Sequence, residues 1–402
     1  MTTLRTRLHE ISRVWFRVTV FLLFVFLAFD LSFAQVVPAA TWVPTGSMIL
    51  PRAHQIAILL PNGQVLVAGG TNGTSGLVER YDPGTGTWTG AGMLDIVNIT
   101  TATLLSNGQI LVTGAPVGGS YDGAEIYDPN TGQSTPTGSL TTSRSNPTAT
   151  LLPNGQVLVA GGYQLIDSGG RYYPVSLNSA EIYDPATGKW ADTESMADDR
   201  AYHTAVQLSN GKVLVVGGVK IYGMSPSTPL ASAEIFDPDT GTWTTTGSLH
   251  TARVGNTETL LRNGQVLVTG GKDNAYNPLS SSELYDPVAG LWNISGAMTT
   301  AREGHTATLL LNGKVLVVGG NDAQFAIEAL DSAELYNPST GIWTATRSLN
   351  LPRISHASIL LPNGRVLTSG GEINSSCDVT SSVELYNQNS SISGAIMPLL
   401  LK

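Results

Sequence analysis

The sequence predicts an all-β fold: a seven-bladed propeller whose last blade is closed by the N-terminal strand. Three observations point there. One unit is written seven times, and its Asn-Gly pairs end at Gly63, Gly108, Gly155, Gly211, Gly264, Gly313 and Gly364, spaced 45 to 56 residues apart. A period of that length made of strands and turns fits blades around an axis rather than a helical solenoid. The chain is also rich in turn formers and poor in charge, with 44 glycines and 13% charged residues among 402, as short strands joined by tight turns require. Finally, the seventh unit has no Trp-bearing fourth strand, and the missing piece stands at the other end. Thr41-Trp42-Val43-Pro44-Thr45-Gly46-Ser47-Met48 matches Thr242-Trp243 through Ser248-Leu249 of a complete unit. Closure of this kind removes the free edge that would otherwise open the ring.

The copy from Ala301 to Leu349 shows the four strands most clearly. The first runs from His305 to Leu310, and the second, Lys314 to Val318, is an almost continuous β-branched run, the pattern of a strand buried on both faces. Asn312-Gly313 between them marks a hairpin that needs positive φ at its central positions. Gly319-Gly320 ends the second strand, where backbones crowd. In the third strand, Ala333 to Tyr336, Glu334 and Tyr336 share one face. Asn337-Pro338-Ser339-Thr340-Gly341 turns the chain into a fourth strand at Trp343. A four-stranded sheet of this size buries both faces only by packing against its neighbours. The in-register Trp88, Trp190, Trp243, Trp292 and Trp343 are expected between blades, with sugar stacking as the other reading of five aromatics in one position.

The Gly-Gly doublet, the Glu-x-Tyr-Asp-Pro turn, the Trp six residues after that Tyr or Phe (seven in the first unit) and the Arg-x-x-His lead-in resemble kelch repeats over about residues 41–387. The resemblance implies the propeller. It leaves function open, because kelch propellers host enzymes, glycan binders and protein-interaction modules alike.

Outside the repeats, residues 1–34 have the layout of a signal peptide. Arg5, Arg7, Arg13 and Arg17 precede an apolar run from Val18 to Phe29, and Ser32-Phe33-Ala34 offers a cleavage site. An uncleaved anchor is the alternative; the apolar run is short for a span, and Asp30 ends it. Residues 388–402 form a C-terminal tail. The expected location is secreted, periplasmic or cell-envelope. The only cysteine, Cys377, excludes an intrachain disulfide and a cysteine metal cage. The net charge of −9 argues against nucleic acid and anionic membranes as partners. A monomer free of membrane after cleavage is the expectation.

Topology places the Asn-Gly and Asp-Pro turns on one rim and the irregular loops on the other. The longest loops are Tyr163 to Ala180 and Val219 to Ala233, and loops on a rigid scaffold are where binding usually lives. Tyr172, Tyr173, Tyr222, Tyr276 and Arg171 project from the long loops and are the candidate ligand contacts. Two charged columns share that rim. Glu79, Glu125, Glu181, Glu234, Glu283, Glu334 and Glu384 open the third strands, and Arg52, Arg144, Arg200, Arg253, Arg302 and Arg353 stand eleven residues before the Asn-Gly glycine. They read either as a charged ring around a ligand or as one bidentate pair per blade. His203, His305 and His356 follow Arg by three, and His54 falls one residue earlier, on the other face. His305, His356 and His54 are candidate metal ligands, against the alternative of structural histidines. The second unit departs from the rest: Val97 replaces Arg, Thr100 replaces His, Gly114-Ala115 replaces Gly-Gly, and Gln133-Ser134 stands near the expected Trp. It is either eroded or altered to form one wall of a site.

These observations favour a non-catalytic recognition module for a glycan or a protein, without a cofactor. The alternative is a sugar-active enzyme. Galactose oxidase, a copper-radical enzyme with two His, two Tyr and a Cys joined to one Tyr, is distantly similar in its propeller and would imply copper. Sialic-acid epimerases of the kelch type are the other comparison, since rim Arg and Glu would suit a carboxylated sugar. The chain carries no nucleophile elbow, phosphate loop or His-Glu-x-x-His helix.

Overall fold

The computed structural model describes residues 40–70, 76–324, 326 and 328–388. The expected signal peptide, 1–34, and the tail beyond Gln388 lie outside the described residues. Seven four-stranded antiparallel sheets follow one another in sequence. Their inner strands are Ile56–Leu59, Ile96–Leu104, Thr148–Leu151, Thr204–Gln207, Thr257–Leu260, Thr306–Leu309 and Ala357–Leu360 in blades 1 to 7, and each packs beside the next around a central channel. Thr41–Pro44 pairs antiparallel with Val383–Asn387, with Trp42 opposite Tyr386. The N-terminal strand thus closes blade 7, as the split repeat requires.

The second strands are the core. Val213–Val216 and Val315–Val318 are buried at every position. Between blades, each outer-strand Trp lies against the Tyr or Phe opposite it, with ring centroids 5.0–5.1 Å apart in all six pairs, Trp42–Tyr386 among them. Trp42, Trp190, Trp292 and Trp343 also donate Nε1–H to a carbonyl just past the outer strand of the preceding blade: Arg347, Gly138, Gly247 and Gly296. The tryptophans are therefore inter-blade core, and the sugar-stacking reading falls. In blade 2, Ser134 holds the Trp position opposite Tyr127.

The Asn-Gly hairpins form, but with a different turn. Only the glycine is left-handed (Gly63, φ 84°). Gly63 N–H donates to Leu60 O at 2.9 Å and Leu60 N–H to Gln64 O at 2.8 Å. This is a three-residue loop ending in a glycine bulge, which needs one positive φ rather than two. The Asn side chain accepts from the N–H two residues on, as Asn62 does from Gln64 at 3.0 Å.

The two longest loops are not irregular. In blade 3, Tyr163–Asp167 pairs with Tyr172–Ser176, and in blade 4 Val219–Lys220 pairs with Thr228–Pro229. Contacts then run from loop to loop: Val175 bridges Tyr222, Tyr276 Oη donates to Ser227 O, and Gln324 Nε2 donates to Ala275 O. The loops of blades 3 to 6 therefore form one linked wall.

Candidate functional site

The Arg and Glu columns resolve into pairs. Arg52–Glu79, Arg144–Glu181, Arg200–Glu234, Arg253–Glu283, Arg302–Glu334 and Arg353–Glu384 lie 2.8–3.0 Å apart with both side chains buried. Each guanidinium also donates to the carbonyl of the first glycine of its Gly-Gly doublet, as Arg302 does to Gly319 at 2.7 Å. Each carboxylate accepts N–H groups from the lead-in, as Glu334 does from Thr299 and Thr300. The pair thus ties lead-in, doublet and third strand together inside one blade. These six guanidinia are committed within their blades, so the charged-ring reading is set aside. In blade 2, Val97 is buried, and Glu125 accepts instead from Asp95 N–H, Ile96 N–H and the Ser134 hydroxyl.

Two residues beyond each Arg the chain turns sharply into the inner strand, and the backbone there is left-handed: His54 (φ 57°), Asn146 (51°), Tyr202 (53°), Gly255 (66°), Gly304 (59°) and Ser355 (55°). Glycine adopts that region without strain. Four blades nonetheless carry a side chain there, and strained positions of this kind cluster at ligand clamps and switch regions. The same position in blade 2 is Ile99, within an extended strand.

One residue further, side chains reach across to the preceding blade. His203 meets Thr148, His305 meets Thr257 and His356 meets Thr306, each Nε2 to Oγ1 at 2.9 Å. Asn256 Nδ2 donates to Thr204 Oγ1, and Gln55 Nε2 to Ser369 O. Burial, helped by the neighbouring Arg, pushes all three imidazoles down to about 3; they are neutral structural groups. This belt stops on both sides of blade 2. Thr100 turns to Thr113 of its own blade, and blade 3 has Pro147, which lacks a donor.

At that gap the channel mouth opens into a funnel of about 730 Å3. Its wall comes from blades 6, 7, 1, 2 and 3: His54, Gln55, Ile56 and Gly70; Asn98, Ile99, Thr100 and Tyr121; Ser145 and Asn146; Gly304 and His305; Ser355 and His356. Blade 2 builds its side with the longest inner strand, nine residues with register shifts at Ile96/Asn98 and Ile99/Thr101. It is a reshaped blade that lines the funnel.

The predicted contacts lie on the linked wall of loops and not in the funnel. Tyr172 and Tyr222 are exposed (67% and 76%); Tyr173 is half-buried opposite Ile166. Arg171 is exposed at the hairpin turn, its carbonyl accepting from Ser168 N–H. Tyr276 is tied to Ser227. Of the metal candidates, His54, His305 and His356 do share the funnel. Asn98, Ile99, Tyr121, Asn146 and Ser355 were not singled out from sequence. The available signal was the residue two after Arg, which reads His, Ile, Asn, Tyr, Gly, Gly, Ser within an otherwise repeating stretch.

The Kelch motif matches residues 52–91, 146–197, 200–250 and 304–350, which are blades 1, 3, 4 and 6. Two F-box/kelch-repeat proteins of Arabidopsis thaliana are similar over short stretches. One is 36% identical over 89 residues, 22% of this chain and 18% of that protein. The other is 38% identical over 98 residues, 24% of each. The matched stretches span about a fifth to a quarter of the length of these relatives. A solved fungal alcohol oxidase of the AA5 family, in complex with copper, superposes with a TM-score of 0.68 at 18% identity, covering 87% of this chain and 76% of that one; at that identity the likeness is one of fold. His305 and His356 have Nε2 committed to threonine hydroxyls, His54 meets Glu372 at 3.2 Å, and among the described residues no three His, Cys, Asp or Glu side chains gather to hold a metal. Seven sheets in one closed ring, the Arg–Glu pairs and the tilted Trp–Tyr or Trp–Phe contacts of the blades, and the matched motifs make this chain a member of the kelch-repeat β-propellers.

Proposed function

We propose that the chain is an exported recognition module that binds its ligand at the mouth of the central channel without catalysing a reaction. The observation that carries this is the ring of left-handed residues. His54, Asn146 and Ser355 hold side chains at the funnel where glycine would relieve the backbone, on a frame fixed by buried Arg–Glu pairs. Rigid elements presenting varied side chains are the general design of a binding face. The titratable groups on the funnel wall are His54, His305, His356 and Tyr121, and two of these imidazoles stay neutral, which favours recognition over acid–base chemistry.

The test is an array of oligosaccharides and synthetic peptides probed with the tagged protein, followed by the triple variant His54→Gly, Asn146→Gly, Ser355→Gly. Glycine suits the backbone at all three sites, so the fold is retained. Loss of the hits in the triple variant is expected. Hits of unchanged affinity would place recognition elsewhere, with the loop wall bearing Tyr172 and Tyr222 next in line.

A further inference from the structure

Resting on that reading of the mouth, we infer that its ligand is an uncharged carbohydrate, seated against the blade 2 side of the funnel. The chemistry of the wall selects this class. Among the described residues no Asp, Glu, Lys or Arg lines the funnel. Beside it, His54 Nε2 meets Glu372 at 3.2 Å and Lys272 pairs with Glu303 at 2.6 Å. An anionic sugar, a phosphate or an acidic peptide would therefore leave water for a site without a counter-charge, which is costly.

What the wall offers is groups that both donate and accept. Asn98 and Asn146 present side-chain amides. The Asn146 amide is exposed and makes only a long contact of 3.4 Å to Ser145 Oγ. Ser355 adds a hydroxyl. Sugar hydroxyls also donate and accept, so each such contact can be satisfied in either sense. Beside these groups stand half-buried Tyr121 and Ile99, whose side chain also packs on the core between blades 1 and 2, both from the reshaped blade 2. An apolar patch next to convergent amides matches a pyranose ring, which has apolar C–H faces and a polar rim. The volume, about 730 Å3, falls within the roughly 300–1,000 Å3 of small-ligand pockets and suits a short oligosaccharide.

The experiment titrates the intact protein by calorimetry with neutral gluco-, galacto-, manno- and xylo-oligosaccharides, with uronate and sulfated oligosaccharides, and with the peptide hits of an array. Binding of a neutral sugar is expected, unchanged between about 50 and 500 mM salt because no charge is screened. Asn146→Gly and Tyr121→Ala should each weaken it about tenfold or more, with circular dichroism unaltered. Tighter binding of the uronate or sulfated sugars, falling with salt, would overturn the ligand class while leaving the mouth as the site. So would binding of peptides alone that Asn146→Gly weakens. Neutral-sugar binding untouched by both substitutions would overturn the site as well. Absence of binding to every neutral sugar at millimolar concentration would also overturn the inference.

Discussion

Glu258 allows a quantitative test of the packing between blades 4 and 5. Its position on the inner strand is a column of small residues: Ala57, Ala102, Ala149, Ala205, Ala307 and Ser358 in the other blades. Both Glu258 carboxyl oxygens are buried without a hydrogen-bond partner, with only the Thr204 hydroxyl of blade 4 near enough to offset desolvation. Burial pushes the carboxyl up to about 8 from its ordinary 4.5. A raised folded value means that the native state holds this proton more tightly than the unfolded chain. The contribution to stability is therefore complete below about pH 4.5 and is lost as pH rises through about 8. Each pH unit within that window costs roughly 1.4 kcal/mol, so the loss between about pH 5.5 and pH 8 is about 3 kcal/mol. Glu258→Gln keeps the shape and removes the proton. Urea denaturation of both proteins across the window should show the variant gaining about 3 kcal/mol on the native protein as pH rises. Two stability curves that stay parallel from acid to alkaline pH would refute the reasoning.

Three further outcomes follow from the same geometry. Arg302→Ala leaves Glu334 buried without its counter-charge and should cost about 3–5 kcal/mol in equilibrium denaturation. The imidazoles of His203, His305 and His356, held down to about 3, should show no titration in NMR spectra above about pH 4. Their depressed values contribute stability above the ordinary 6.5 that is lost as pH falls toward about 3, and His305→Asn, the residue type of blade 5, should reduce that acid sensitivity. Trp42→Ala removes the stack on Tyr386 and the hydrogen bond to Arg347 and should cost about 3–5 kcal/mol, read as a lowered denaturation midpoint.

Blade number, strand order and the closing role of Thr41–Pro44 were legible from sequence. The determinants are local: a bulged Asn-Gly hairpin, a valine-rich second strand, and a Trp placed to meet a Tyr one strand away. Even the buried Arg–Glu pairs could be read, because opposite charges recur in matching columns of one unit. The funnel could not be read, because it is a property of the ring. One residue from each of several blades, some fifty positions apart in the chain, meets at the mouth, and its direction depends on a φ angle set by how the chain leaves a buried Arg. His54, Asn146 and Ser355 look like ordinary polar residues until that left-handed turn aims them inward. Tyr172 and Tyr222, chosen for loop length, belong instead to hairpins that pair with one another. Local pattern determined the blades; closure of the ring, with the inter-blade belt missing on both sides of blade 2, decided where the channel mouth opens into a funnel.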